Sequence, residues 1–320
     1  MQNKPPRLND PRFQLADGRT RPDFLFIGGA KCGSTSFAVY LGVHPQVIYH
    51  GPKEPNFWSW AKYPKKYQDF FVNESPLVQP GPIDQISGEF STSYLLHPLS
   101  ARRVHDALPG AKIIMMLRNP VDRAYSHFIM SKRAGLERDC SFEEIVEREI
   151  DELPALIESH QRCFSDPKGR IELCMSGLDG SAIQIASHQH RSKLKALTSE
   201  KELRDFYFQS YVFRSLYVEQ LRRWVTLFPA DQLLIMQSER FFDEPAIHMA
   251  KACEFFGLEK FDFAASAKLQ KSWGGGASNA WKKSGNYSKM NDRTRSLLEN
   301  FFRPWNVELS KLCGIGFDWE

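Results

Sequence analysis

The chain has 320 residues, 42% apolar and 25% charged, an ordinary globular composition with ample material for a large buried core. With 42 basic against 38 acidic residues, the formal charge of +4 is too slight to mark a non-specific nucleic-acid or membrane binder, so any anion must be held by local clusters. No run of about 18 apolar residues is present, which leaves no candidate for a transmembrane helix in this chain.

Residues 1–22 are a polar, proline-rich leader without a signal-peptide core. DFLFIGG then reads as a buried strand ending in glycines, and STSFAVYLGVHP as a helix that stops near His44 and Pro45. QVIYH predicts a second strand, followed by the Pro- and aromatic-rich turn GPKEPNFWSW. ISGEFSTSYLLHP is a short strand or loop, and PLSARRVHDALPG an amphipathic helix closed by Pro109 and Gly110. KIIMMLRNP has the five consecutive apolar residues of a central parallel strand, running into a polar turn with a helix starting right after Pro120. Residues 135–210 lose clear strand signals: SFEEIVEREIDELPALIESH is acidic and helical, the part from Asp166 is irregular, and the whole is the expected substrate-facing insertion. YVFRSLYVEQLRRWVTLFP predicts a helix, QLLIMQSERFF a strand and HMAKACEFFGL a helix. A glycine-rich loop and a last amphipathic helix, RTRSLLENFFRPWNVELSKLCG, complete one domain over 23–320. The expected fold is α/β: a mainly parallel central sheet between two helical layers.

The loop GGAKCGSTS joins the first strand to the first helix. Backbone N–H groups there, with a helix N-terminus behind them, make a site for phosphate or sulfate. Lys31 adds a point charge, and Ser34, Thr35 and Ser36 add hydroxyl donors. The ATP-binding loop places Lys after its last glycine; here Lys31 precedes Gly33 by two residues. Arg118 leaves a buried strand, which is costly unless it meets an anion or a carboxylate. Arg123 serves either function or a salt bridge to Asp122 or Glu137. Ser126 lies one turn further on. The two loops together suit a nucleotide with phosphates at both ends. Neither the histidines nor the six cysteines show metal-ligand spacing. Cys32 reads as packing or as a reactive thiol, and Cys163 with Cys174 flanks a segment short enough for a disulfide loop.

FIGGAKCGSTSFAVYLGVHP, KEPNFW, IIMMLRNPVDRAYSHF and LYVEQLRRWVTLFP, in that order, resemble the sulfotransferases that use 3′-phosphoadenosine 5′-phosphosulfate (PAPS). The likeness spans 23–130 and 211–258, touches the tail, and is strongest to the heparan sulfate O- and N-sulfotransferase branch with its bacterial relatives. The resemblance implies the family's fold, which is like that of P-loop nucleotide hydrolases. It also implies that Lys31, Cys32, Gly33, Ser34, Thr35 and Ser36 hold the 5′-phosphosulfate, and Arg118 and Ser126 the 3′-phosphate. Glu54 takes the position of the catalytic base, and Lys31 reaches the oxygen bridging phosphate and sulfur. Lys53, Phe57 and Trp58 shape the wall beside the base. Glu89 orients Lys31 or the acceptor, or makes a structural salt bridge. Tyr217 faces the nucleotide or packs in a helix core. Lys282, Lys283 and Gly285 cover the outer phosphate or form a flexible charged loop. Asn56 and Phe90 stand where heparan-type relatives often carry His and Lys, a departure that shifts the expected acceptor away from acidic sugars.

The activity that the resemblance implies is sulfuryl transfer to a hydroxyl or amine of a carbohydrate or small molecule, without a metal, leaving adenosine 3′,5′-bisphosphate (PAP). The alternatives are a P-loop small-molecule kinase, disfavoured by the missing GK[ST], and a non-catalytic nucleotide binder. The lack of a targeting signal points to the cytoplasm. A truncated type II membrane protein of the Golgi lumen is the alternative.

Overall fold

In the computed structural model, which describes residues 22–49, 54–59, 85–137, 140–165, 209–265 and 289–319, FLFIG forms β1 (Phe24–Gly28), buried at every position. It is followed by α1 (Ser34–Leu41), β2 (Val47–Tyr49), β3 (Ile86–Phe90), α2 (Ser100–Ala107), β4 (Lys112–Leu117), α3 (Pro120–Arg133) and α4 (Phe142–Ser165). After a 3₁₀ turn at Phe213–Ser215 come α5 (Tyr217–Leu227), β5 (Leu233–Gln237), α6 (Ser238–Asp243), α7 (Pro245–Phe256) and α8 (Asp292–Cys313).

The five strands lie in the order β2-β3-β1-β4-β5, and every neighbouring pair is parallel. Parallel strands buried on both faces need unbroken apolar runs, which FLFI and IIMML provide. Helices cover both faces, as expected of the α/β architecture. The chain first runs from β1 towards β2 and later returns to the far side of β1 as β4. The carboxyl ends of β3, β1 and β4 therefore flank the place where an open sheet leaves a crevice for ligands.

Four local expectations change. α1 ends at Leu41, and the residues up to Pro45 are turns. α3 begins at Pro120 itself, because proline at the first helical position forfeits no hydrogen bond and Asn119 caps the N–H groups of Val121 and Asp122. SERFFD leaves β5 to become α6. The helix expected from Tyr211 starts only at Tyr217. The buried carboxylate of Glu149 on α4 accepts the N–H groups of Tyr211 and Val212 at 2.7 Å and of Phe213 at 3.2 Å, which holds them in a turn.

Burial pushes the Glu149 carboxyl up to about 7, against the pull of those three donors and of Arg123. The native state thus binds this proton more tightly than the unfolded chain, whose carboxyl titrates near 4.5. This contribution to stability is complete below that value and falls as pH rises to about 7, by on the order of 3 kcal/mol. Unfolding free energies of the native chain and Glu149→Gln should therefore diverge progressively across that window in favour of the variant. A difference independent of pH would refute the assignment.

The sheet and its covering helices enclose one hydrophobic cluster, and α3, α4, the 3₁₀ turn and α8 enclose a second. Cys163, at the end of α4, is buried and disulfide-bonded. Its expected partner Cys174 lies outside the described residues, while Cys32, Cys253 and Cys313 are free thiols. Of the 135–210 segment, the structure describes α4 and its approach, and 166–208 lie outside the described residues. Among the described residues no helix is long and apolar enough to cross a membrane.

Candidate active site

The loop after β1 is held from below by its own backbone. Gly29 N–H donates to Met116 O at 2.8 Å, tying the loop to β4. Gly33 caps α1 at φ 105°, and a Cβ there would meet the Phe242 ring at 2.9 Å and Met116 Sδ at 3.2 Å, so this corner requires glycine. α1 has no side-chain cap and no acidic residue in its first turn, which leaves the positive end of its dipole to an external anion. Ser34 is buried, Ser36 half-buried and Thr35 exposed at that end. The half-buried Lys31 sends Nζ towards α3, 3.5 Å from Met130 Sδ.

Beside this loop, Arg118 leaves β4 and its Nη1 donates to Lys31 O at 3.4 Å. Ser126, on the second turn of α3, is 3% exposed, and its Oγ is buried with no hydrogen-bond partner. Asn119 N–H donates to Glu239 at 2.8 Å, which couples the turn after β4 to the first turn of α6. Tyr217 joins the two loops: its hydroxyl donates to Arg118 O at 3.0 Å and lies 3.5 Å from Cys32 Sγ. Tyr217 is buried and acts as a stitch between loops instead of an open nucleotide face. Cys32 is fully buried, and burial raises its thiol pKa, so it packs and does not present a thiolate. Arg123, also fully buried, pairs with neither Asp122 nor Glu137. It donates to Ser215 Oγ at 2.6 Å and to Tyr211 O at 2.5 Å, while Asp122 pairs with Arg295.

On the other side of β1, the segment 54–59 is clamped to the residues that follow β3. Glu54 N–H donates to Phe90 O at 2.8 Å, and the Glu54 carboxylate accepts Thr92 N–H at 2.8 Å and Thr92 Oγ1–H at 3.0 Å. Each carboxylate oxygen is thereby oriented and keeps a lone pair for a further donor. Asn56 donates to Glu54 O at 2.6 Å, receives Ser93 Oγ–H on its own oxygen, and donates its backbone N–H to Ser91 Oγ at 3.0 Å. From α2, Arg103 and Ser100 each donate to Trp58 O at 3.1 Å.

Lys31, Glu54 and Asn56 have φ of 69°, 60° and 55°, and among the described residues they are the non-glycine residues with positive φ. Asparagine tolerates this region, but Lys and Glu there each cost on the order of 1 kcal/mol, a strain that collects at functional sites.

Three residues expected on an acceptor wall, Phe57, Trp58 and Phe90, are buried in the core. Phe90 stacks on Phe26 at 5.2 Å inside the sheet core, and Phe57 packs edge-on to Trp58 at 4.8 Å with 1% exposure. Aromatic rings next to a buried sheet gain more from the core than from an open wall. Glu89 is likewise 1% exposed, on β3, and hydrogen-bonds Tyr94, whose pKa burial and that carboxylate raise. Lys53, Lys282, Lys283 and Gly285 lie outside the described residues.

Sequence reasoning missed Thr92 and Arg214. The signal for Arg214 was a lone charge inside the apolar run YVFRSLY, read there as one continuous helix. For Thr92 no sequence signal separates it from the serines around it.

Comparison with known proteins places residues 21–273 in a family model described as the sulfotransferase domain. The chain is 25% identical to the membrane-associated sulfotransferase kil1 of Dictyostelium discoideum, covering 93% of this chain and 66% of that one. It is 28% identical to human bifunctional heparan sulfate N-deacetylase/N-sulfotransferase 2, covering 91% of this chain but only 29% of the relative. Among solved structures, a sulfotransferase from Alicyclobacillus acidocaldarius shares the fold with a TM-score of 0.58 and 23% identity, over 93% of this chain and 97% of that one.

Proposed function

The chain belongs to the sulfotransferase domain family, and from that membership we propose that it transfers a sulfuryl group from PAPS to a hydroxyl or amine of a carbohydrate or small-molecule acceptor. The observation that carries this reading is the convergence of three segments at the ends of β3, β1 and β4: the Glu54 turn, the Lys31 loop and the Arg118 turn. Several of their groups suit an anionic nucleotide. Ser126 Oγ is buried without a partner, and α1 offers an uncapped N-terminus. Arg118 and Ser126 take the 3′-phosphate. Lys31, Gly33 and the hydroxyls of Ser34, Thr35 and Ser36 take the 5′-phosphosulfate.

PAPS, when bound, supplies an electrophilic sulfur: the acceptor atom bonds to it while the sulfur–oxygen bond to the 5′-phosphate breaks and its electron pair leaves with PAP. Glu54 removes the proton of the incoming hydroxyl or amine, on an oxygen that Thr92 holds in orientation. Lys31 neutralises the charge that develops on the departing phosphate oxygen. Glu89, buried on β3 and hydrogen-bonded to Tyr94, takes a structural role. The segment 135–210 governs the choice of acceptor.

Calorimetry with a chelator present should show PAP binding without a divalent metal. Arg118→Ala should weaken it about tenfold to a hundredfold, the loss of a charge-assisted phosphate contact. Tighter binding of magnesium–ATP than of PAP would overturn the reading in favour of phosphoryl transfer. A labelled-sulfate screen across sugars, steroids, phenols and polyketide alcohols identifies the acceptor.

A further inference from the structure

Arg214 sits on the 3₁₀ turn between α4 and α5, 9% exposed. The hydrogen bonds of its terminal nitrogens are sparser than those of the other buried arginines. Arg123 makes two short hydrogen bonds, to Ser215 and Tyr211, and Arg223 lays Nη2 on the carbonyls of Leu95 and Leu96 at 3.2 and 2.9 Å. Arg214 makes one long bond, from Nη2 to Thr92 O at 3.4 Å, and its Nε is enclosed with no partner. Among the described residues it forms no ion pair. The charges that act on it are Arg123, of like sign, and Glu54 and Cys32 on the other side of the balance.

A guanidinium taken out of water without a counter-charge is costly, and it persists where something else supplies the charge. Burial first, and then the field of Arg123, bring Arg214 down to about 10, so it remains protonated at neutral pH. Its position identifies the missing partner. Arg214 lies against Thr92, the residue that orients Glu54, and within electrostatic reach of Cys32 in the Lys31 loop. The group in transfer must pass between the base and that loop, where Asn56 and the core residue Phe90 offer no charge.

We propose that Arg214 is an anion ligand of this site that binds the sulfuryl oxygens of the donor, the part of PAPS that PAP lacks. The proposal rests on the sulfotransferase reading given above. It makes Arg214 a third cation of the centre beside Lys31 and Arg118, committed to the transferring group and not to either phosphate.

The test is Arg214→Met, which keeps length and removes charge, with Arg214→Lys as the conservative variant. Without ligand, the melting temperature of Arg214→Met should match or exceed that of the native chain, because an unpaired buried charge is lost; a lower value would mark a structural arginine and overturn the proposal. In calorimetry without acceptor, PAPS affinity should fall at least about tenfold, as for other charge-assisted contacts, and PAP affinity less than about threefold. Arg214→Lys should recover part of the PAPS loss. Equal losses for the two ligands, or an undiminished PAPS affinity, overturn it. Failure of the sulfotransferase reading itself is distinguishable, because the native chain would then bind neither ligand.

Discussion

Glu54→Gln is expected to lower turnover by roughly 10²–10⁴-fold, the range for loss of a positioned general base, while PAP affinity stays within about threefold of native. The substitution is informative because the local geometry tolerates it. Glu54 accepts one bond from Thr92 N–H and one from Thr92 Oγ1–H. A glutamine can place its oxygen on the backbone N–H and donate its amide to the hydroxyl, which accepts as well as donates. Both contacts and the backbone bond to Phe90 O survive, so a lost rate reports the lost proton acceptor and not a displaced loop. Turnover within tenfold of native would mean that the base is another group. A parallel fall in PAP affinity would mean that Glu54 shapes the nucleotide site instead.

Lys31→Ala should lower kcat by about 10²–10³-fold, as removal of one preorganised charge at a developing oxyanion does. Its effect on the KM for PAPS should be much smaller, since an interaction made chiefly in the transition state appears in kcat. Alanine at φ 69° inherits the strain that lysine bears there, so the melting temperature should change little. Lys31→Arg should recover only part of the rate, because a planar guanidinium does not reproduce a compact ammonium charge. Single-turnover measurement with saturating PAPS separates the chemical step from product release. An unchanged single-turnover rate would place the leaving-group charge on another cation, and a raised KM with unchanged kcat would make Lys31 a simple binding residue.

Much of this site was readable along the chain. The apolar runs FLFI and IIMML each end in polar residues, and parallel strands deliver such ends to one edge of the sheet. That logic brings Lys31 and Arg118 to the same edge, where Arg118 bonds to Lys31 O. Glu54 is different. KEPNFW has no periodicity that locates it, and its expected role came from family likeness; its place beside β3 is set by hydrogen bonds to Phe90 and Thr92, thirty-six and thirty-eight residues further along the chain. Phe57 and Phe90 show the converse error. An aromatic residue near a catalytic motif looks the same in sequence whether it lines a wall or fills a core, and burial decided for the core.

The sequence by itself determined the class of architecture, the glycine loop with its displaced lysine, and the polar turn that carries Arg118 ahead of the helix that carries Ser126. Those features are local: hydrophobic runs, glycine corners and helix starts follow from residues a few positions apart. Only the tertiary structure decided that Arg123 is a strut, that Tyr217 stitches two loops, and that Arg214 is buried against Thr92 without an ion pair among the described residues. The physical reason is that arginine carries five donors on a long stem, and what they meet depends on segments about ninety to a hundred and twenty residues away. A chain read in order cannot count hydrogen bonds across that distance, and for a buried charge that count separates a structural group from a functional one.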